Sequence, residues 1–558
     1  MRSYDVVIIG AGAAGAVAAV SAAAKGARVA VLSKEPAGYG NTRISGGGMA
    51  APVLSDEDSP QSFLDDILEA GDHINNEELA RVVAENAVLA AAVLEGCGHL
   101  FIRDADGRAT GSSIPRGGHS HPRSLLSGPA QGVSMARALR DALACSGVDV
   151  LEDHIATRIL VPMGKVEGIV GLNYLTGNPV SLGTAGVVIA TGGAGWIFYP
   201  HTDVVRFATG DGYALALDAG AELVDMEQVQ FLPFGLTHPV ALAGVRCGEA
   251  SIAGPRGRLL NGQGKVVLEK VNRMSRAQLS RAIAQEMYKG NVTEHGGLLL
   301  DLSPNLECEE DRRIYEERRR LGLLDQVRLA YGLRAYRLEE PWDVAPTAHF
   351  QMGGVRADSW GRTAVPNLFV AGEAMGGTHG SNRLAAIGLT EALVMGLRVG
   401  KSVGDKRLAN EVSSLAKGEA DKEMERLNGL FGACGQHRPV DLHRRLQKIM
   451  WEKVGLVRTE EGLKEALNQL SAIEAEMEDL QASPVRICNG EVRDALELPM
   501  MLTTAKAITL SALVRGETRG SHLRIDHPEL DDSRWLCNVI VQVERGQMAT
   551  RVEPKRCN

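Results

Sequence analysis

The 558-residue chain has no clustered cysteines, no long hydrophobic run and no excess of positive charge. Its eight cysteines are scattered without a CxxC pair, which argues against cysteine-based zinc, iron–sulfur and disulfide frameworks, and we predict no metal site. No apolar stretch is long enough to span a bilayer, so we expect no direct membrane span. Because the net charge is −9, no global basic field would draw the chain to nucleic acid.

Aromatic residues are also scarce, at 4 %, whereas glycine is abundant, at 64 residues. Glycine in excess without low complexity fits many close backbone approaches, as around a long cofactor. A chain of this length should form two or three domains with a large core. Scattered thiols suit a reducing compartment, and the N-terminus enters a strand directly. We therefore expect a cytoplasmic protein, with peripheral attachment to a membrane complex left open.

The first glycine-rich segment lies at the start of the chain. Residues 5–9 (DVVII) and 28–33 (RVAVLS) are short apolar runs that predict buried parallel strands. Between them, 10–15 (GAGAAG) has GxGxxG spacing and leads into an alanine-rich helix predicted over 13–25. This order is that of a dinucleotide-binding βαβ unit, in which the helix N-terminus supplies N–H donors to a pyrophosphate. Ser33 stands where an acidic residue is expected, and its hydroxyl can bond a ribose more weakly.

Two later segments have the same order of an apolar strand followed by glycines. Residues 186–195 (GVVIATGGAG) and 367–384 (NLFVAGEAMGGTHGSNRL) each predict a buried strand that runs into glycines. Residues 38–52 (GYGNTRISGGGMAAP) are too glycine-rich for a regular element and predict a loop that follows a ligand. The strand-and-glycine segments lie far apart in the sequence, yet each has a pattern that suits a phosphate group. They therefore indicate one nucleotide cofactor that is held by both ends of a large domain. This combination favours a flavin enzyme.

The remaining segments indicate helices and an insertion. Residues 62–100 have helical spacing, and 384–400 predict an apolar helix. Residues 231–345 are more polar and mixed, which predicts an inserted second domain. From about 405 to 515 the chain is charged with helical periodicity, which predicts a helical bundle.

Taken in order, these segments resemble the flavoprotein subunit of the succinate dehydrogenase and fumarate reductase superfamily, to which L-aspartate oxidase and the alpha chain of adenylylsulfate reductase also belong. The matching motifs are GAGAAG at 10–15, GNTRISGGGMAA at 40–51, GGHSHPR at 117–123, ATGGAG at 190–195, TGDG at 209–212, PTAHFQMGG at 346–354, FVAGEA with HGSNRL at 369–384, LQKIMWEKVG at 446–455 and RGETRGSH at 515–522. The resemblance covers nearly the whole chain.

The resemblance implies an α/β fold with a split Rossmann-like FAD-binding domain. Its first part would span 1–230 and its second part 346–405. An inserted α+β capping domain would span 231–345, and a helical C-terminal domain would span 406–558.

The resemblance also implies which residues bind FAD. They are Gly10, Gly12, Ala13, Ala14, Gly15, Ser33, Lys34, Asn41, Thr42, Gly47, Gly48, Ala190, Gly192, Asp211, Gly372, Glu373, Arg383, Ala386 and Leu389. Glu373 would bond the ribose, and the helix that begins near Leu384 would point its positive end at the flavin. Where relatives link FAD covalently, a histidine precedes the glycines of the 38–52 loop. This chain has Asn41-Thr42-Arg43 there, so the resemblance implies noncovalent FAD.

Three residues match the family's catalytic positions. His349, in PTAHFQMGG, and Arg383, in HGSNRL, would hold a substrate carboxylate, for which a guanidinium offers two donors. Arg276, in RMSRAQLSRAI, matches the arginine that transfers a proton to or from substrate carbon. An arginine pKa is too high for ordinary base work, so this role depends on the resemblance. Arg273 is the alternative position.

The substrate end departs from the family pattern. The family reads QxHP near the start of the capping domain, whereas this chain has Leu232 in place of the histidine. The family's Thr-Glu pair is absent from the segment 245–252, although Glu249 lies there. Leucine cannot bond a carboxylate, so half of the expected dicarboxylate site is missing. Glu249 and His238 are the two candidates for replacing it, and the sequence does not decide between them.

We therefore expect an FAD-dependent oxidoreductase of the CH–CH dehydrogenase or reductase type. It would exchange hydride between flavin N5 and a small anionic, carboxylate-bearing substrate other than plain fumarate or succinate. One alternative is a flavin relay subunit in a larger redox complex, because relatives commonly pair with a ferredoxin-like iron–sulfur subunit. Another is a stand-alone oxidase resembling L-aspartate oxidase.

Overall fold

The computed structural model describes residues 1–46, 48–111, 115, 117–128, 130–320, 322–407 and 412–555. Gly47, one of the predicted FAD-binding residues, lies outside the described residues. No helix in the described ranges is long and apolar enough to cross a membrane.

A five-stranded parallel sheet, the nucleotide sheet, forms the centre of the N-terminal region. Its strands in spatial order are Leu368–Val370, Val187–Ile189, Val6–Ile9, Val29–Leu32 and Asp149–Leu151. Every residue of the first four strands is buried. Burial on both faces explains why these strands appear in the sequence as continuous apolar runs. The strands predicted in the three strand-and-glycine segments are confirmed.

Two helices far apart in sequence pack against each other beside this sheet. Ala13–Ala23 follows the first glycine turn, and Ile387–Val403 follows the last glycine segment. A Cβ on Gly396 would lie 2.5 Å from the carbonyl oxygen of Ala14, and one on Gly400 would lie 2.5 Å from that of Ala18. Two glycines one turn apart therefore let the backbones touch. This contact joins the two ends of the predicted FAD-binding domain.

A six-stranded antiparallel sheet, the cap sheet, forms most of the inserted region. Its strands in spatial order are Arg246–Gly248, Val229–Leu236, Trp342–Gln351, Leu298–Asp301, Arg258–Leu260 and Val266–Leu268. It has a hydrophobic core of its own, with Phe234, Leu279 and Trp342 fully buried. A second, larger core covers the nucleotide sheet and the C-terminal helices.

Four smaller sheets complete the strand inventory of the described residues. They are Arg2–Tyr4 with Asn178–Thr184, Gly168–Asn173 and His154–Leu160; Gly354–Val355 with Leu223–Val224, Cys537–Glu544 and Gln547–Pro554; Val457–Arg458 with Leu523–Arg524; and Met49–Ala50 with Ser124–Leu125. The terminal hairpin was not predicted. The C-terminal region is thus helical with an added β-hairpin, whose first strand pairs with Leu223–Val224 of the N-terminal region.

The α-helices of the described residues include those predicted from the sequence. They are Ala13–Ala23, Asn41–Ile44, Pro60–Ala70, Glu77–Gly96, Gln131–Cys145, Asp211–Asp218, Arg276–Tyr288, Glu309–Arg320, Asp325–Tyr336, Ile387–Val403, Ser414–Gly429, Pro439–Ile449, Glu460–Glu476, Gly490–Val514 and Asp532–Trp535. The segment 62–100, predicted to be helical throughout, is broken at 71–76. Asp72 and His73 take left-handed backbone there, and the Asn76 side chain caps the next helix.

Candidate active site

A cavity of about 540 Å³ lies where the strands of the nucleotide sheet end. The predicted site residues that line it are Gly10, Gly12, Ala13, Ala14, Ser33, Lys34, Asn41, Thr42, Gly48, Ala190, Gly192, Asp211, Arg276, His349, Gly372, Glu373, Arg383, Ala386 and Leu389. Gly15 is not a lining residue, because it packs its helix against the turn. The predicted nucleotide and substrate residues therefore share one space.

The first glycine turn has the geometry that a bound phosphate needs. Gly10 has φ +109°, and a Cβ there would lie 2.3 Å from the carbonyl oxygen of Ala190. A Cβ on Gly15 would lie 2.0 Å from the carbonyl oxygen of Gly10. The backbone packing of the turn therefore requires glycine at both positions. At Gly12 a Cβ would meet only Thr42 Oγ1, at 3.7 Å. Gly12 thus leaves its backbone open to the cavity at a helix N-terminus, as pyrophosphate binding requires.

Replacing Gly12 with alanine should therefore weaken nucleotide binding without unfolding the chain. The added methyl group would occupy the cavity and separate the phosphate from backbone donors. Losing one hydrogen bond to a charged group costs about 1.5–3 kcal/mol, or about 10–100-fold in Kd. Titration of the flavin-free protein with FAD measures this. Gly418→Ala, in an exposed helix with open space around its Cβ, is the matched control and should leave the Kd unchanged.

Lys34 and Asp211 line the cavity within a buried ionic cluster. Lys34 Nζ lies 2.7 Å from Asp211 Oδ2 and 2.9 Å from Glu497 Oε1. Burial alone would raise the pKa of Glu497, but Lys34 and Arg206 more than offset it, and the pKa falls to about 2. Asp211 and Glu497 therefore neutralise Lys34. Because Glu497 lies on the helix Gly490–Val514, its ion pair with Lys34 anchors that helix beside the cavity. Glu497 was not predicted, because it lies 463 residues from its partner.

Glu373 faces the cavity as a carboxyl group short of cationic partners. It accepts a hydrogen bond from the Gln351 backbone N–H at 3.1 Å. Burial raises its pKa to about 7, although that bond and the Arg383 charge act in the opposite direction. A side chain on Gly193 would collide with Glu373, because a Cβ there would lie 2.2 Å from its Oε1. This carboxyl group is placed to accept hydroxyl donors from a ligand in the cavity.

The raised pKa of Glu373 predicts a pH-dependent stability of the flavin-free protein. Between the ordinary carboxyl pKa of 4.5 and the folded value of about 7, the unfolded chain releases a proton that the folded chain keeps. Stability from this group is therefore full below pH 4.5 and falls as the pH rises to 7, by about 3 kcal/mol at most. Glu373→Gln should remove this slope. Urea unfolding at several pH values checks it, and equal slopes in both proteins would contradict it.

At the other end of the cavity, Arg276 is held by a bidentate ion pair. Its Nη2 lies 2.6 Å from Glu249 Oε1, its Nε lies 3.2 Å from Glu249 Oε2, and its Nη1 donates to Gln230 Oε1 at 3.3 Å. Burial would raise the pKa of Glu249, but Arg276 more than offsets it and the pKa falls to about 2. Arg276 is therefore fixed in orientation at the first residue of the helix Arg276–Tyr288.

Arg383 is a buried cation that lacks a carboxylate partner. Its Nε donates to the neutral Gln230 Oε1 at 3.2 Å, and its guanidinium lies 4.3 Å from the Phe350 ring centroid. Among the described residues, no carboxylate lies within ion-pair distance of it. Burial, and secondly the charge of Arg276, lower its pKa to about 9. Such a guanidinium has its remaining donors available for an anion in the cavity.

His349 is oriented by Asp203, which the sequence did not predict. The Nδ1 atom of His349 lies 2.8 Å from Asp203 Oδ1, and burial lowers the pKa of His349 although Asp203 opposes this. Arg246 also lines the cavity, with its Nε 3.9 Å from Asp203 Oδ2. Asp203 thus orients the imidazole of His349. It also forms a loose ion pair with the guanidinium of Arg246.

The structure separates the alternatives at the substrate end. Arg273 is exposed and does not line the cavity, whereas Arg276 does. His238 lies outside the cavity beside His295 and Tyr331. Glu249 lines the cavity but is bound to Arg276, and a carboxylate does not attract an anion. Neither Glu249 nor His238 therefore replaces the missing histidine.

Known proteins resemble the chain over most of its length. Residues 5–389 match the family described as "FAD binding domain", and residues 443–558 match "Fumarate reductase flavoprotein C-term". The chain is 36 % identical to one chain of the CoM/CoB fumarate reductase of Methanothermobacter marburgensis, over 94 % of each protein. The chain belongs to the fumarate reductase/succinate dehydrogenase flavoprotein family.

Further similarities agree on this family. The flavoprotein is 31 % identical to the L-aspartate oxidase of Streptomyces coelicolor, over 97 % of this chain and 91 % of that one. A solved structure of E. coli quinol fumarate reductase is 27 % identical, with a TM-score of 0.90 over 100 % of this chain and 98 % of that one. The predicted α/β flavoprotein fold is confirmed. The protein is an FAD-dependent oxidoreductase, and the open Gly12 backbone and the Glu373 carboxyl group fit FAD in the cavity.

Proposed function

We propose that this flavoprotein oxidises or reduces a small, carboxylate-bearing substrate at the Arg383 end of the cavity. One observation carries the proposal: Arg383 is a buried guanidinium without a carboxylate partner among the described residues, in the same cavity as the nucleotide-binding glycines. An unpaired buried charge is costly, and a substrate carboxylate would compensate it with two parallel hydrogen bonds. Bound FAD supplies the hydride exchange.

Each residue near Arg383 has a role in this proposal. His349, fixed by Asp203 through Nδ1, contacts the same substrate carboxylate with its second ring nitrogen, which donates a hydrogen bond once the imidazole is protonated. Arg276, fixed by Glu249 and Gln230, holds a proton toward the reacting carbon. Because Gln230 accepts from both arginines, it keeps the anion-binding group and the proton donor in one arrangement.

We further propose that plain fumarate and succinate are poor substrates. The family's histidine position holds Leu232, which is fully buried and does not line the cavity, and the family's Thr-Glu pair is absent from the segment 245–252. The groups for a second carboxylate are therefore missing at their usual places. Arg246 is the remaining cation that lines the cavity near Arg383 and Arg276, so a second anionic group would have to reach it.

A panel of mono- and dicarboxylates, assayed with the FAD-loaded enzyme and a reduced dye, tests this substrate class. We expect turnover of a small carboxylate at a higher kcat/KM than that of fumarate. Arg246→Gln should raise KM only for substrates with two anionic groups. Fumarate turnover at rates typical of the family would contradict our interpretation of Leu232.

The FAD should be noncovalent, because Asn41 occupies the position of the linking histidine. In the structure Asn41 Oδ1 accepts from the Val205 backbone N–H at 3.0 Å, and an amide has no nucleophilic ring nitrogen. Acid precipitation should release all flavin into the supernatant. Flavin that stays with the pellet would contradict this.

The electron partner is a separate part of the proposal. The described cysteines are isolated thiols, so electrons must enter or leave through a partner or through oxygen. We propose a ferredoxin-like iron–sulfur subunit in the cytoplasm, since several relatives are named as subunits. The similarity to L-aspartate oxidase favours a second candidate, a stand-alone oxidase. Peroxide formation with L-amino acids would identify the oxidase, and an iron–sulfur partner without substrate turnover would identify a relay.

A further inference from the structure

Two histidines and an aspartate meet at one end of the cap sheet, outside the cavity. They are His238, His295 and Asp343, and their potential ligand atoms all lie within 4.8 Å of one another. None of the three lines the cavity or takes part in the proposed reaction. We propose that this His-His-Asp cluster binds a divalent transition-metal ion such as Zn²⁺.

The topology of the cap sheet brings the three residues together. Val344 pairs with Leu236 on one neighbouring strand and with Leu298 on the other. His238 follows the first of these strands by two residues, and His295 precedes the second by three. Asp343 lies on the central strand between them. The site therefore depends on long-range pairing, which is why the sequence showed no ligand spacing.

Asp343 supplies an observation that points to a ligand. The residue is 6 % exposed, and its Oδ2 accepts from Thr293 Oγ1 at 2.7 Å. Its Oδ1 is buried and has no hydrogen-bond partner among the described residues. A buried carboxylate oxygen without a partner is disfavoured, and a cation bound between Asp343 and the imidazoles would satisfy it.

The two imidazoles lie close enough to bind one ion between them. The ring centroids of His238 and His295 lie 3.8 Å apart. The carboxylates that face the pair are Asp343 and the exposed Glu294, whose Oε1 lies 3.5 Å from His295 Nε2. Neutral imidazole with one carboxylate is a ligand set for zinc and related ions.

The geometry requires only a small closure around an ion. Ligand atoms of a tetrahedral zinc site lie about 3.3 Å apart, since each ligand is about 2.0–2.2 Å from the metal. His238 stacks on Tyr331 at 4.5 Å, whereas the His295 side chain is 38 % exposed on a turn and is able to move inward. Three protein ligands would leave the fourth position to water.

Two other clusters of this kind do not support the same inference. His443, Asp494 and Glu497 are buried, but Glu497 is already paired with Lys34 and Arg206. Glu460, Asp526 and His527 are all exposed, as surface groups without a metal often are.

The metal site is distinct from the active site but shares a strand with it. Trp342–Gln351 carries both Asp343 and His349, six residues or about 20 Å apart. A bound ion would join three strands of the cap sheet at the far end from the substrate. We therefore assign it a role in holding the cap, without a part in catalysis.

The test uses the full-length, FAD-loaded protein, with Zn²⁺ measured by equilibrium dialysis and elemental analysis, and Co²⁺ by visible absorption. We expect one equivalent of Zn²⁺ and a tetrahedral Co²⁺ spectrum. His295→Ala, at an exposed position, should weaken Zn²⁺ binding at least about 10-fold, and Asp343→Asn should do the same. His527→Ala, in the exposed cluster, is the control and should bind as the parent does.

Zn²⁺ binding that is unchanged in His295→Ala, or absent from the parent protein, would overturn the proposal. Loss of binding in His527→Ala alone would assign the metal to the exposed cluster and would also overturn it. Because the readout is metal content and a Co²⁺ spectrum, the result is independent of whether the proposed substrate class is correct.

Discussion

Arg276→Gln is expected to lower turnover by about 10²–10⁴-fold while FAD stays bound, because general-acid catalysis contributes about that factor. Glutamine keeps a polar side chain at the start of the helix Arg276–Tyr288 but cannot release a proton to carbon. The substitution also leaves Glu249, whose Oε1 and Oε2 lie 2.6 and 3.2 Å from the guanidinium, without its partner. The loss should therefore fall mainly on kcat, measured by steady-state turnover of whichever carboxylate the panel identifies.

Arg273→Gln is the matched control for this prediction. Arg273 lies three residues earlier, is exposed and does not line the cavity, so its loss should change turnover less than about 2-fold. The double variant Arg276→Gln with Glu249→Gln removes both charges, and it separates the lost proton donor from an unpaired carboxylate. Recovery of full turnover in the double variant would contradict the role of Arg276.

Arg383→Gln should reduce kcat/KM by about 10²–10³-fold. A buried partner of a charged pair is worth about 2–5 kcal/mol in binding, and Arg383 is a cavity-lining cation with no carboxylate within ion-pair distance among the described residues. The expected loss is in KM, since His349 and Arg276 stay in place. Steady-state kinetics with the best carboxylate of the panel provide the measurement.

The same variant should not be destabilised in the absence of substrate. A buried guanidinium without a counter-charge is costly to the folded state, so the free energy of unfolding should be unchanged or higher in Arg383→Gln. Arg398→Gln is the control: Arg398 also stacks on an aromatic ring, Trp360 at 3.8 Å, but does not line the cavity. A strong loss of stability in Arg383→Gln with normal KM would show a structural role instead.

The nucleotide end of the site could be predicted from the sequence because local backbone geometry specifies it. Gly10 and Gly12 lie within one turn, and each apolar strand is buried on both faces. Motifs of that kind consist of residues close together in the chain, so they can be recognised from the sequence. The strands before each glycine segment followed from this pattern, whereas the wider set of predicted FAD-binding residues came from the resemblance to the family.

The substrate end could be predicted only in part, because it depends on pairs between distant residues. Asp203 orients His349 across 146 positions, and Gln230 joins Arg276 to Arg383 across 46 and 153 positions. No short sequence motif contains both members of such a pair. The terminal hairpin is a different case, because its two strands pair with each other across the turn at Arg545 and Gly546, within a contiguous segment predicted to belong to the helical domain.

Single-turnover reoxidation of the reduced, FAD-loaded protein under anaerobic conditions tests the central claim most directly. Small carboxylates are mixed one at a time with the dithionite-reduced enzyme, and flavin absorbance is followed. The oxidised enzyme is mixed with the same carboxylates in parallel. We predict rapid flavin reoxidation, or rapid flavin reduction of the oxidised enzyme, by at least one carboxylate in the parent protein, and a rate about 100-fold slower or more at low substrate concentration in Arg383→Gln. A flavin that is neither reoxidised nor reduced by any carboxylate would contradict the proposed substrate site.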